Sequence, residues 1–98
     1  MAHVQPSADP HLRTLWSQIR HQGVKHLWIF GSRARGDSGP ESDYDFLVEF
    51  ASPPGFDAFM NLKLDLEEGL GFPVDLLSLH ACPPRWLRAI HSELRRVA

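Results

Sequence analysis

The sequence predicts an α/β domain of the α+β type, and three observations predict it. The runs HLWIF (His26–Phe30), DYDFLVEF (Asp43–Phe50) and FPVDLLSL (Phe72–Leu79) have the length and the flanking Gly and Pro residues of strands. Around and between them, apolar residues recur at i, i+3, i+4 and i+7, the stripe of a helix laid on a core. Ninety-eight residues hold one such core, with no room for a second catalytic domain.

Residues 1–10, rich in Pro, Ser and Ala, read as a flexible tail, and residues 11–98 as the single domain. Asp9-Pro10 has the form of a helix start, with Asp9 as N-cap and Pro10 at the first helical position. Leu12, Leu15, Trp16 and Ile19 then make one apolar stripe, which Gly23 ends. His26–Phe30 is apolar toward both sides, as a strand is when both of its faces are at least partly covered. Gly31-Ser32 follows, then a short basic turn, then the polar stretch Asp37–Ser42 with Gly39-Pro40 turn chemistry. The second strand, from about Asp43 to Phe50, closes at Ala51–Gly55. Phe56, Phe59, Leu62, Leu66 and Leu70 form the core stripe of a long helix that Gly69 and Gly71 terminate. After the third strand, Pro84 opens a last helix with Leu87, Ile90, Leu94 and Val97 turned inward. With the turn after Ser32 counted as a helix, the order is αβαβαβα.

The charge excludes some functions. Ten basic and 12 acidic residues, a formal net charge of -2, are interspersed rather than blocked, which predicts no broad attraction to nucleic acid. Cys82 is the single cysteine, so no intrachain disulfide forms and a reducing compartment is expected. No apolar run approaches the roughly 20 residues of a membrane span, and the N-terminus lacks the core of a signal peptide. The expectation is a soluble cytoplasmic protein.

Strand side chains alternate, so Asp43 and Asp45 project to one face while Tyr44, Phe46, Val48 and Phe50 project to the other. Asp75 shares a face with Leu77 and Leu79, opposite Val74 and Leu76. An acid pair alone is an ordinary solvated strand face. Its combination with a third acid and a Gly-Ser corner at a strand end points to phosphate chemistry. Glycine lets a phosphate approach the backbone, and the Ser32 hydroxyl can bond a phosphate oxygen or cap the turn. Two Mg2+ ions about 3.5 to 4 Å apart stabilise attacking and leaving oxygens together. Carboxylates whose Cα atoms lie about 6.5 to 7 Å apart can converge on such a pair. Asp75 would complete one metal's coordination and help take the proton of an incoming hydroxyl. Arg33 and Arg35 stand two apart on the turn and face different ways, so no more than one of them reaches the phosphates.

GSRARG, then SDYDFLVEF, then PVDLLSL after one helix resembles the minimal nucleotidyltransferases of the DNA polymerase β superfamily, the MNT proteins. The likeness covers nearly the whole chain from the first helix onward. Its motif, Gly-Ser, then Asp-x-Asp about a dozen residues later, then an acid on a later strand, is more specific than any part of it. The resemblance implies a nucleotidyltransferase fold, a small mixed sheet of three to four strands with helices on one face and the catalytic face open. It implies Gly31 and Ser32 on a nucleoside triphosphate, Asp43 and Asp45 on Mg2+, and Asp75 as the third carboxylate. Many members are similar to antitoxins encoded beside a HEPN-domain ribonuclease, and the better understood ones move AMP from ATP to a tyrosine hydroxyl of that toxin. A single small domain lacks an acceptor-holding domain of its own, so a partner protein is expected to present the hydroxyl. Two alternatives stay open: an antitoxin that neutralises by occlusion, and transfer to a small molecule such as an aminoglycoside. Templated polymerisation is disfavoured by the absence of a basic groove. A homo- or hetero-oligomer is compatible with the chain.

Other residues read more simply. His21 and His26 stand on different elements, and His80 with Cys82 supplies two ligands where a structural zinc needs four. Arg85, Arg88, Arg95 and Arg96 on the expected last helix read as an exposed face, the final two complementing the helix dipole. Trp86 lies off the inward stripe, either an interface aromatic or packed on the Pro83-Pro84 corner.

Overall fold

A computed structural model describes residues 10–36, 39 and 43–97. The tail expected over residues 1–10 lies outside the described residues apart from Pro10, as do the Asp9 cap and most of the polar stretch 37–42. Pro10 opens helix α1 (Pro10–Ile19), which tightens into a 3-10 turn and stops at Gly23, whose φ of 78° lies in the left-handed region. Strand β1 (Val24–Phe30), the one-turn helix α2 (Ser32–Arg35), strand β2 (Tyr44–Phe50), helix α3 (Phe56–Leu70) and strand β3 (Val74–Ser78) follow. Helix α4 (Pro84–Ile90) and the short strand β4 (Arg95–Arg96) complete the domain.

The four strands form one mixed sheet in the order β3-β2-β1-β4. β1 runs antiparallel to β2 and β4, whereas β2 and β3 are parallel. A parallel pair needs a crossover, and α3 supplies it. Tyr44, Phe46, Val48 and Phe50 turn toward α1 and α3 and join Leu12, Leu15, Leu62 and Leu66 in the main core. A Cβ on Gly69 would meet Leu15 Cδ1 at 2.5 Å, so this glycine lets α1 and α3 approach closely. Glu67 of α3 accepts from the Val74 N–H at 3.0 Å and from Lys63 Nζ at 3.0 Å. The Val74 bond first, then Lys63, holds the Glu67 carboxyl below its ordinary value, and the contact anchors edge strand β3 one residue before Asp75.

The C-terminal segment differs from the expected long helix. α4 ends at Ile90, residues His91–Glu93 tighten into a 3-10 turn, and Arg95 and Arg96 pair with Ile29 and Trp28 of β1. Nothing in residues 91–97 breaks a helix by propensity. The free edge of β1 offers a hydrogen-bonding ladder instead, continued by Val97 N–H to Leu27 C=O at 2.8 Å. Arg95 and Arg96 are therefore strand residues, not cations in a last helical turn. Leu94, 1% exposed, packs with Trp28 and Leu47 on the sheet face opposite α1 and α3, where Leu77, Leu87 and Ile90 join them. Part of the second face is thus covered, and Leu94→Ala is expected to destabilise the domain by about 2 to 5 kcal/mol. The measurement is a urea midpoint that falls with the slope unchanged.

The α3 stripe is core only in part. Leu62, Leu66 and Leu70 are buried and Phe59 half-buried, but Phe56, the first residue of the helix, is 77% exposed. Among the described residues, no helix is long and apolar enough to cross a membrane.

Candidate active site

The sheet register brings two of the sequence-singled acids side by side. Asp45 on β2 pairs with Phe30, the last residue of β1, on one side, and with Asp75 of β3 on the other. Both acids share the face that carries Leu47 and Leu77, away from α1 and α3. Asp43 stands exposed just ahead of β2, Asp75 is exposed on the edge strand, and Asp45 between them is half-buried. Burial, first, and then the Asp75 charge and hydrogen bond push the Asp45 carboxyl above its ordinary value, with Asp43 and Glu93 adding to the effect. Acids crowded in this way are poised for a compensating cation.

Gly31 closes the corner against this group. Its φ of 76° and ψ of -160° belong to a region that essentially only glycine occupies. A Cβ there would run into the Asp45 carboxylate, with Asp45 Cγ at 3.3 Å. The glycine thus does two things: it admits the backbone turn and it lets that turn lie on Asp45. α2 then winds once, with Ala34 N–H and Arg35 N–H both donating to Gly31 C=O at 3.1 Å and Gly36 N–H donating to Ser32 C=O at 3.0 Å. The N-cap position is Gly31 itself, which has no side chain with which to cap the turn. One turn carries little macrodipole; what it offers an anion is individual N–H groups and the Ser32 hydroxyl.

The two arginines diverge. The Arg33 guanidinium lies 4.3 Å from the centroid of Tyr44 and 5.1 Å from that of Phe72, a cation–π seat on the side of the sheet away from the acids. Arg35 Nη1 donates to Glu93 Oε1 at 2.5 Å. Glu93, a fourth acid near Asp45, carries no signal in the sequence, since 48 positions and a change of element separate the two; only the packing of the C-terminal segment brings it there. His80 Nε2 contacts Phe50 C=O at 3.0 Å at the end of β2, and Trp86 is 55% exposed on α4.

The donor set fits Mg2+. Asp43, Asp45 and Asp75 offer oxygen alone, the hard ligand that Mg2+ prefers, and the charges of Asp75 and Asp43 beside Asp45, which add to the effect of its burial, are a repulsion that a cation would relieve. Among the described residues no three acids, histidines or cysteines already converge on one point. Mg2+ is ordinarily held by one or two carboxylates plus substrate phosphates and water, so a pair of acids with a third at the rim matches its habit.

A mixed four-stranded sheet that sets paired carboxylates against a Gly-Ser corner suits a protein that handles phosphate groups. The chain belongs to the family described as Polymerase beta, Nucleotidyltransferase, whose model matches residues 17–97. It is 44% identical over 66 residues to MJ0435 of Methanocaldococcus jannaschii, named as a candidate protein adenylyltransferase, a match covering 67% of this chain and 70% of that protein. It is 42% identical over 55 residues to the protein adenylyltransferase MntA of Thermococcus cleftensis. That match covers 56% of each, so the chain spans little more than half the length of MntA. The fold is similar to a chain in a solved complex of tri-AMPylated Shewanella oneidensis HEPN toxin with MNT antitoxin. There the TM-score is 0.68 at 18% identity, covering 89% of this chain and 69% of that one. The domain is a nucleotidyltransferase with the mixed sheet its sequence predicts.

Proposed function

We propose that the protein is an antitoxin that transfers AMP from ATP, with Mg2+, to a tyrosine hydroxyl of a partner HEPN toxin. The observation that carries this reading is the register that sets Asp75 beside Asp45, next to the Gly31-Ser32 corner. The relative named protein adenylyltransferase and the AMPylated HEPN toxin in the solved complex support it. In this reading the Ser32 hydroxyl and the N–H groups of the corner hold the triphosphate, and Asp43 and Asp45 hold Mg2+ with Asp75 as third carboxylate. Bound there, Mg2+ would neutralise the phosphates and lower the pKa of the attacking hydroxyl. Asp75 takes that proton, the acceptor oxygen bonds to the α-phosphorus, and the bond to the bridging oxygen breaks to release pyrophosphate. Asp75 sits on an exposed edge strand, which leaves open the approach of a hydroxyl carried by another protein.

The test incubates the purified chain with Mg2+, ATP labelled at the α-phosphate and a HEPN protein, taken from the neighbouring reading frame where that encodes one. Label is expected on the HEPN protein with wild type and none with Asp43→Ala; labelling that is absent with wild type, or equal with both, defeats the proposal. Trp86, exposed on α4, favours a second reading in which binding alone neutralises the toxin. Neutralisation that survives Asp43→Ala and Asp45→Ala together would establish that reading instead.

A further inference from the structure

A single helical turn does not hold itself in place. Fixing its first residues takes more conformational freedom than one turn of hydrogen bonds returns, so α2 needs anchors outside itself. Gly31 ties its start to β1. At its other end Arg35 reaches 58 positions along the chain to Glu93. Glu93 is a firm post: it precedes Leu94, which is buried in the second cluster, and its own turn is closed by Leu94 N–H donating to His91 C=O at 3.2 Å. Both side chains keep some contact with solvent, 48% exposed for Arg35 and 30% for Glu93.

We infer that Glu93 is a positioning residue for the nucleotide: its ion pair with Arg35 pins α2, and through it the Gly31-Ser32 corner, against the carboxylates. The inference rests on the reading of that corner as the seat of the triphosphate. It also runs against simple electrostatics, and that makes it testable. Glu93 is a negative charge close enough to Asp45 to help raise its carboxyl, so its removal, by charge alone, would tighten the binding of an anion. A lost anchor would weaken it.

The experiment titrates the full chain with AMP-PNP and Mg2+ by calorimetry and follows amide hydrogen exchange of the same variants. Glu93→Ala is expected to weaken binding about three- to tenfold, Glu93→Gln by less because its amide oxygen still accepts from Arg35. Arg35→Ala with Glu93→Ala is expected to be no weaker than the worse of the two single variants, the signature of a shared interaction. In Glu93→Ala the amides of Ala34, Arg35 and Gly36 exchange faster while those of Ile29 and Leu47 keep their wild-type rates, which also shows the domain folded. Binding by Glu93→Ala that equals or exceeds wild type overturns the inference, as does unchanged exchange in α2. A wild-type chain that binds no nucleotide defeats the transferase reading instead, and the exchange measurement then decides the anchor by itself.

Discussion

Asp45→Asn is expected to cripple nucleotidyl transfer and to raise the melting temperature of the metal-free protein. The first effect follows from the place of Asp45 at the centre of the group, with Asp75 directly across the ladder and Gly31 on its other flank. Its loss is expected to slow transfer by about 10³-fold or more, the scale of removing one pre-organised electrostatic partner. The second follows from the direction of its pKa. A carboxyl raised on folding binds its proton more tightly in the folded than in the unfolded chain. Stability is therefore lost as pH rises from the ordinary value of 3.8 through the raised folded value, and stays low above it. The asparagine has no charge to desolvate or to set against Asp75, so its advantage is full at neutral pH, fades as pH falls through the raised folded value, and is gone below 3.8. Melting curves from pH 3 to pH 8 without divalent ions check this. Added Mg2+ is expected to stabilise wild type and not the variant. A variant that melts at or below wild type at neutral pH, or that retains transfer, contradicts the assignment of Asp45.

Gly31→Ala is expected to lose about 2 to 4 kcal/mol of stability and all detectable transfer. Two separate costs combine. The backbone at Gly31 sits where an L side chain is strained, and the new methyl would occupy the space of the Asp45 carboxylate. Combining Gly31→Ala with Asp45→Ala separates them, because the double variant relieves the collision and leaves the strain. Urea unfolding should then show the pair less unstable than the sum of the single variants, by the collision part alone. Strict additivity would mean that Gly31 and Asp45 do not touch.

Much of the site was legible because it is written in short-range patterns. Period-two alternation in DYDFLVEF separates acids from core residues without knowledge of the partner strands, and the burial of Tyr44, Phe46, Val48 and Phe50 follows it. A glycine that ends a strand marks a turn whatever surrounds it. Phe56 shows where such patterns fail: its spacing from Phe59 is helical, but spacing says nothing of how far the sheet beneath extends. Leu94 kept its inward place while its element changed, since a buried residue can be reached from a helix or from an extended segment. Glu93 had no pattern at all.

What the chain's own order determined is local: the periods that mark the first three strands and the helices between them, which side chains share a face, and that an acid pair follows a Gly-Ser corner. What only the tertiary structure decided is which of these meet. The one-for-one register of Asp45 with Asp75, the closure of Gly31 onto Asp45, the docking of Arg95 and Arg96 on β1 and the reach of Arg35 to Glu93 all join residues distant in sequence. Periodicity is set by bond geometry within a few residues, whereas these contacts are set by how one buried layer fits against another.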